Sequence, residues 1–150
     1  MIELTTANAG DSRVILGHEG HVTRLSQDHR VADPLEVARI EKAGGFVFRD
    51  RALGVLALTR SLGDHLLKKY VIAHPHVHQE SVELKEDASH RSFVVLACDG
   101  LFDVMSDRDV ASLVVDCEKE GKADEAATYL VEEALRRRTT DNVSAIVVWL

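Results

Sequence analysis

Four aspartates stand beside turn signals or apolar runs, where their carboxylates could bind a metal ion. They are Asp11, Asp99, Asp103 and Asp141. Carboxylates without a matching set of cysteine or histidine ligands suit hard cations such as Mg²⁺ or Mn²⁺. A divalent cation would also relieve the repulsion between clustered carboxylates. Each aspartate alone is more often an ordinary turn or loop residue, so spacing by itself favours that interpretation over a metal site.

Two apolar runs would fix the positions of these carboxylates. Residues 93–98 and 143–150 predict fully buried strands, with Asp99 directly after the first and Asp141 just before the second. A strand holds a carboxylate at its end rigidly, and Gly100 allows another segment to approach closely. Asp103 follows Asp99 at i+4, so one turn of backbone could bring both to the same side.

The remaining elements predict a mixed α+β chain. Turn residues separate strand-like segments at residues 2–9, 14–17 and 21–25. A helix is predicted after Asp33, with Pro34 at its first position and Glu36 completing a capping box. Further helices are predicted to begin at Ser106, with Asp109 in the capping-box position, and near Asp124.

Composition limits the class of protein. The 150 residues suffice for one domain, and 18 basic against 25 acidic residues give a net charge of −7. The acidic balance argues against nucleic-acid binding, and no apolar run could span a bilayer. No secretory signal is recognised, and the 2 cysteines, Cys98 and Cys117, are interpreted as reduced and buried. We therefore expect a cytoplasmic or nuclear protein without membrane or nucleic-acid partners.

Several blocks of sequence resemble the type 2C, metal-dependent protein Ser/Thr phosphatases. They are ANAGDSR at residues 7–13, LSQDH at 25–29, EVARIEKAGG at 36–45, LALTRSLGD at 56–64, LACDGLFDV at 96–104 and TDNV at 140–143. Their order and spacing over nearly the whole chain make the resemblance specific.

The resemblance implies a fold, a chemistry and a set of metal ligands. The fold would be part of an α-β-β-α sandwich of two antiparallel sheets flanked by helices. Asp99 and Asp141 match core ligands of catalytic Mg²⁺ or Mn²⁺, and Asp11 and Asp103 match aspartates associated with a weaker third metal. The reaction would be hydrolysis of phosphoserine or phosphothreonine in proteins by metal-activated water. Asp64 matches a motif near the flap region, with no role assigned and a structural turn as the alternative.

The resemblance covers only the C-terminal part of the family domain, residues 1–150 of this chain forming that part. The upstream Asp-Gly-His-Gly-Gly motif, with its general-acid histidine, has no counterpart, nor has the phosphate-binding arginine. The site residues expected in this chain are therefore metal ligands alone, and we expect the isolated chain to be nearly inactive. Strands without their packing partners would expose apolar surface, which predicts self-association.

Two other functions remain possible from the sequence. The chain could be a non-catalytic, phosphatase-like interaction module that docks a partner protein. His74, His76 and His78 could bind zinc from one face of a strand, although an exposed loop or edge around Pro75 is favoured. His29 is similarly interpreted as a loop or helix-entry residue.

Overall fold

The computed structural model describes residues 1–84 and 90–150. The strands in these ranges are β1 (Ile2–Asn8), β2 (Arg13–His18), β3 (His21–Arg24), β4 (Val47–Phe48), β5 (Arg51–Ala52), β6 (His76–Val82), β7 (Phe93–Ala97) and β8 (Ala145–Trp149). The α-helices are α1 (Pro34–Lys42), α2 (Asp99–Phe102), α3 (Asp107–Lys119) and α4 (Ala126–Arg136). Short 3₁₀ turns lie at His65–Leu67 and Ala123–Glu125. None of the described helices is long and apolar enough to cross a membrane.

The chain divides into two compact units. The first comprises residues 1–6, 12–26 and 78–150, and the second comprises residues 7–11 and 27–77. The first unit contains a four-stranded sheet in the order β3-β2-β7-β8, in which all neighbours are antiparallel. The prediction of antiparallel sheets flanked by helices is confirmed.

The four-stranded sheet carries apolar cores on both faces. On one face, Phe93 and Val95 pack with Leu101, Val114 and Leu130 of the helices. The core on the opposite face consists of Val14, Leu16, Leu25, Val82 and Val94, with Ile2, Leu4 and Leu150 packed against them. The two-stranded sheet β1-β6 contributes to this second core. The first unit therefore has layers of helices, sheet and sheet, as expected for part of a sandwich.

The prediction that residues 143–150 form a fully buried strand is wrong. β8 lies at the outer position of the sheet, and Ile146 and Val148 are 59% and 44% exposed. Leu96 of β7, which pairs with Ile146, is 38% exposed, so the predicted full burial of residues 93–98 is also wrong at this position. The other side chains of β8 pack against the helices, so burial alternates along the strand. An unbroken apolar run does not reveal that one sheet face is only partly covered.

The start of α3 agrees with the prediction, and the start of α1 agrees only in part. α3 begins with the predicted capping box, in which Ser106 and Asp109 bond reciprocally to backbone amides. Asp33 caps α1 by accepting from the amide of Leu35. Glu36 does not complete a capping box, because its carboxylate binds arginines and the Asp33 amide donates to the carbonyl of Arg30.

The second unit is built around α1 and the β4-β5 hairpin. Its core is Ile40, Ala52 and Val71, each 0% exposed. α1 ends at Lys42 before the predicted glycine stop, where Gly44 adopts a positive φ of 86°. The main polar feature of this unit is the buried carboxylate of Glu36, which is 2% exposed.

Candidate metal centre

Asp99 lies where β7 passes directly into α2. Cys98 is the N-cap, and Asp99 is the first residue of the helix. The helix is anchored because Leu101 is fully buried and Phe102 is 8% exposed. The Asp99 carboxylate is therefore attached to backbone that the core holds in place, and its side chain remains half-buried.

The loop carrying Asp141 lies beside this junction because of the β7-β8 register. Ala97 pairs with Ala145, so the residues after β7 and before β8 are neighbours. The thiol of Cys98 donates to the carbonyl of Asn142 and accepts from the amide of Ser144, both at 3.2 Å. These bonds hold the end of one strand to the start of the next.

Gly100 allows the two segments to approach closely. A Cβ at this position would lie 2.2 Å from the carbonyl oxygen of Asn142, far inside contact distance. The interpretation of Asp99-Gly100 as a place where glycine permits close approach is confirmed. The structure thus brings the two predicted core ligands, Asp99 and Asp141, to one end of the sheet.

Asp103 is the third predicted metal ligand in the first unit. Its amide donates to the carbonyl of Asp99 over 2.8 Å, which is one helical turn. Asp103 and Asp141 are both exposed. The expected i, i+4 relation between Asp99 and Asp103 is therefore present.

Asp11 belongs to the second unit and is held by an arginine. Nε of Arg30 donates to Oδ2 of Asp11 over 2.8 Å, and the Asp11 side chain is 13% exposed. The pair joins residues 19 positions apart. A metal ion bound by Asp11 would therefore share its carboxylate with the guanidinium group of Arg30.

No three His, Cys, Asp or Glu side chains within residues 1–84 and 90–150 form a group that could hold a metal ion. The donor chemistry fits Mg²⁺ or Mn²⁺, because Asp99 and Asp141, whose segments meet at this end of the sheet, offer carboxylate oxygens. A closed set of ligands is not formed by the described side chains. The assignment of the four aspartates as metal ligands remains a prediction.

Comparison with protein families settles which family these motifs come from. The family model for Protein phosphatase 2C matches residues 2–143. The chain belongs to the protein phosphatase 2C family. The Asp99-Gly100 and Asp141-Asn142 segments both lie within the matched region.

Related sequences and structures agree with this assignment. The chain is 45% identical over 148 residues to Protein phosphatase 2C homolog 1 of Saccharomyces cerevisiae, covering 99% of this chain and 50% of the relative. It is 44% identical to Protein phosphatase 2C homolog 1 of Schizosaccharomyces pombe, covering 97% of this chain and 40% of that relative. A crystal structure of a Toxoplasma gondii phosphatase matches with a TM-score of 0.85 and 35% identity over 97% of this chain and 47% of that one. The chain spans about half the length, or less, of these relatives.

Asp64, His74 and His78, the other residues considered from the sequence, make contacts within this phosphatase 2C chain. Asp64 adopts a left-handed φ of 47° and accepts a hydrogen bond from Oγ of Ser61 at 2.5 Å, as expected for a structural turn. His74 precedes β6, and its carbonyl accepts from Arg60. His78 pairs with Glu80 at 3.1 Å. The histidine-triplet zinc site is not formed in the part of the chain that the structure describes.

His29 is a loop residue, as predicted, and it is also buried. It is 0% exposed, and its Nδ1 lies 3.0 Å from the carbonyl oxygen of Gly10. Burial lowers the pKa of His29, and the nearby Arg60 lowers it further. The imidazole is therefore favoured in its neutral form.

The side chains that hold the site in place were not predicted from the sequence. Cys98 was predicted to be buried, but it is only half-buried because it lies beyond the end of β7, and its thiol joins the two strand ends. The Arg30–Asp11 pair has no local sequence signal, because the partners are distant in the chain. The position of Cys98 directly before Asp99 is the only signal that could have drawn attention to it.

Proposed function

We propose that this chain contributes to metal-dependent hydrolysis of phosphoserine and phosphothreonine in proteins. The observation that carries the proposal is the register of β7 and β8, which places the segments of Asp99 and Asp141 side by side. Membership of the protein phosphatase 2C family supports the reaction class. The names of the relatives are those of protein phosphatases, so they do not favour a non-catalytic interaction module.

Asp99 and Asp141 would bind Mg²⁺ or Mn²⁺, together with ligands outside this pair. Such a cation, when bound, supplies positive charge to phosphoryl oxygens and lowers the pKa of coordinated water. The chain's own residues position the carboxylates: α2 anchors Asp99, and the Cys98 thiol holds the Asp141 loop against it. Asp103 would offer a further carboxylate to a cation in the first unit, and in the second unit Arg30 would orient the carboxylate of Asp11.

Manganese binding by the purified chain tests this assignment. We expect Asp99→Asn and Asp141→Asn each to weaken Mn²⁺ binding at least about tenfold, because each removes a charged ligand. Isothermal titration calorimetry measures the affinity without requiring catalysis. Asp64→Asn is the matched control, because Asp64 bonds to Ser61 in a turn and its replacement should leave the affinity unchanged. Unchanged affinity in both ligand variants would refute the metal assignment.

Hydrolysis of a phosphothreonine peptide then tests catalysis directly. Phosphate release that requires both Mn²⁺ and Asp99 would show that this chain is catalytically sufficient. A folded chain that binds Mn²⁺ without releasing phosphate would show that catalysis requires residues beyond these. The two measurements therefore separate metal binding from turnover.

We further propose that the partly covered sheet face drives self-association. Leu96, Ile146 and Val148 form an apolar strip on β7 and β8. We expect the average mass to rise with concentration in size-exclusion chromatography with light scattering, and Ile146→Lys to reduce this rise. Leu66→Lys, at a residue 99% exposed in the second unit, should have a smaller effect. A monodisperse monomer with sharp thermal unfolding at all concentrations would contradict the proposal.

A further inference from the structure

The β4-β5 hairpin of the second unit presents apolar side chains to solvent. Val47 and Ala52, which pair across the hairpin, pack into the core of this unit. Because side chains alternate along a strand, Phe46 and Phe48 lie on the opposite side, where they are 55% and 56% exposed. Val55, which follows β5, is also 56% exposed. The hairpin therefore has one side in the core and one apolar side in water.

Two arginines of the hairpin lie beside these phenylalanines. Arg51 pairs with Phe48 across the hairpin and donates to the carbonyl of Val55 at 2.8 Å. The guanidinium carbon of Arg49 lies 5.2 Å from the centre of the Phe48 ring. In the part of the chain that the structure describes, neither arginine has a carboxylate partner. Two arginines and one aspartate, Asp50, give the hairpin a net charge of +1.

The segment that carries the hairpin is positive within an acidic chain. Residues 27–77, which form most of the second unit, contain eight basic and six acidic residues, whereas the whole chain has a net charge of −7. One of those six carboxylates, that of Glu36, is buried between Arg39 and Arg60. The charge around the hairpin therefore complements an anionic surface.

The turn of the hairpin is conformationally strained. Arg49 and Asp50 have φ values of 50° and 56°, in the left-handed region that residues with a Cβ disfavour. Tight turns of this kind usually contain glycine or asparagine, so the sequence keeps an arginine here at a conformational cost. Strain retained in this way is typical of functional segments. The tight turn also fixes Phe48 and the arginines in place, which reduces the entropy lost on binding.

We propose that this hairpin binds the surface of an anionic phospholipid bilayer. Phe46 and Phe48 would enter the boundary between headgroups and acyl chains, and Arg49 and Arg51 would pair with lipid phosphate and carboxylate groups. Two strands of two residues each offer much less area than the roughly 800 Å² that each partner buries in a stable protein complex. A bilayer, in contrast, accepts a small apolar tip anywhere on its surface.

This proposal differs from the expectation that the chain has no membrane partner. That expectation rests on the lack of an apolar run long enough to span a bilayer, and binding at the surface needs no such run. The proposal does not depend on the metal site or on phosphatase activity.

Flotation of the purified chain with phospholipid vesicles tests the hairpin. We expect the chain to float with vesicles that contain about 40% phosphatidylserine and to remain in the soluble fraction with pure phosphatidylcholine. Phe48→Ser should weaken binding at least about fivefold, because an apolar contact with the bilayer is lost. Phe48→Trp should retain binding, because tryptophan also suits the membrane interface. Ile146→Ser is the matched control, because Ile146 is 59% exposed on β8 of the first unit, and it should leave the affinity unchanged.

The ionic contribution is tested separately. Arg49→Gln should weaken binding to the anionic vesicles at least about threefold, because a basic group at the bilayer surface is lost. Arg108→Gln changes the net charge equally at an exposed residue of the first unit and should leave the affinity unchanged. Raising the NaCl concentration from about 0.05 M to about 0.5 M should release the chain, because salt screens the attraction.

The outcomes that would overturn the proposal are distinct. They are no vesicle binding, equal binding to neutral vesicles, and equal effects of Phe48→Ser and Ile146→Ser. An excess of poly-L-glutamate should not release the chain, because it offers no apolar phase for the phenylalanines, and release would instead identify a surface for acidic proteins. Circular dichroism shows whether each variant is folded. If Phe48→Ser unfolds the chain, Arg49→Gln and the salt dependence still decide the proposal.

Discussion

Replacing Glu36 by glutamine should lower the free energy of unfolding by about 3 kcal/mol, because it breaks a buried ion cluster. Oε1 of Glu36 accepts from Arg60 at 2.6 Å, and Oε2 accepts from Arg39 at 2.9 Å. The Glu36 side chain is 3% exposed, and those of Arg60 and Arg39 are 18% and 24% exposed. A neutral glutamine would leave two partly buried guanidinium groups without their shared anion.

The effect should spread through the second unit because both arginines also bind backbone. Arg39 donates to the carbonyls of Thr59 and Tyr70, both at 2.7 Å, and Arg60 donates to that of His74 at 2.9 Å. The carboxylate thus orients two side chains that connect separate loops to α1. Losing it should loosen those loops together.

Urea unfolding at neutral pH measures the loss, with Glu41→Gln as the matched control. Glu41 lies on the same helix and is exposed, so its replacement should change the free energy of unfolding by less than about 0.5 kcal/mol. The Glu36 variant should also melt about 10 °C lower than the parent chain. Equal stability of the two variants would refute the structural importance of the cluster.

The same carboxylate should make stability depend on pH. Burial acts to raise the pKa of Glu36, but hydrogen bonds from Arg60 and Arg39 outweigh it and lower the pKa from 4.5 to about 2. Because the folded state holds this proton less tightly than the unfolded state, the stabilisation is complete above pH 4.5 and is lost toward pH 2. The stability difference between the parent chain and Glu36→Gln should therefore shrink as the pH falls. A difference that stays constant from about pH 6 to pH 2.5 would contradict this mechanism.

The sequence predicted the elements whose signals are local. The capping box of Ser106 and Asp109 lies within four consecutive residues, and the structure contains it. The strand before Asp99 was also recognisable, because β7 is an apolar run bounded by a polar turn. The family resemblance rested on motifs of the same short kind, and the family is confirmed.

Features that depend on distant partners could not be predicted in this way. Glu36 had the spacing of a capping-box residue, but its carboxylate binds Arg60, which is 24 positions away. The apolar residues of β8 gave no sign that Ile146 and Val148 would be exposed, since burial depends on which layer covers the sheet. The Arg30–Asp11 pair likewise exists only because the fold brings two loops together. Local patterns therefore identified the candidate ligands, whereas the groups that hold them required the structure.

Gly100→Ala should destabilise the chain by about 2 kcal/mol and weaken Mn²⁺ binding, although alanine is the better helix former. The added methyl group would stand 2.2 Å from the Asn142 carbonyl oxygen and 3.1 Å from its carbon, so the loop before β8 must move. Moving that loop displaces Asp141 from Asp99 and strains the bonds to the Cys98 thiol. We expect at least about a tenfold loss of Mn²⁺ affinity, as for a ligand whose supporting contacts are lost.

Asn142→Ala is the control that distinguishes loss of the Gly100 backbone contact from the effect of changing a side chain in the same loop. It removes the Asn142 side chain but keeps the carbonyl that faces Gly100 and accepts from Cys98. Thermal unfolding and calorimetric Mn²⁺ titration of both variants should therefore show the larger losses in Gly100→Ala. Loss of stability without loss of Mn²⁺ affinity would mean that the close approach serves packing alone. Loss of both would link the Asp99-Gly100 turn to the position of Asp141, because Gly100 follows Asp99 and packs against the backbone of Asn142, which follows Asp141.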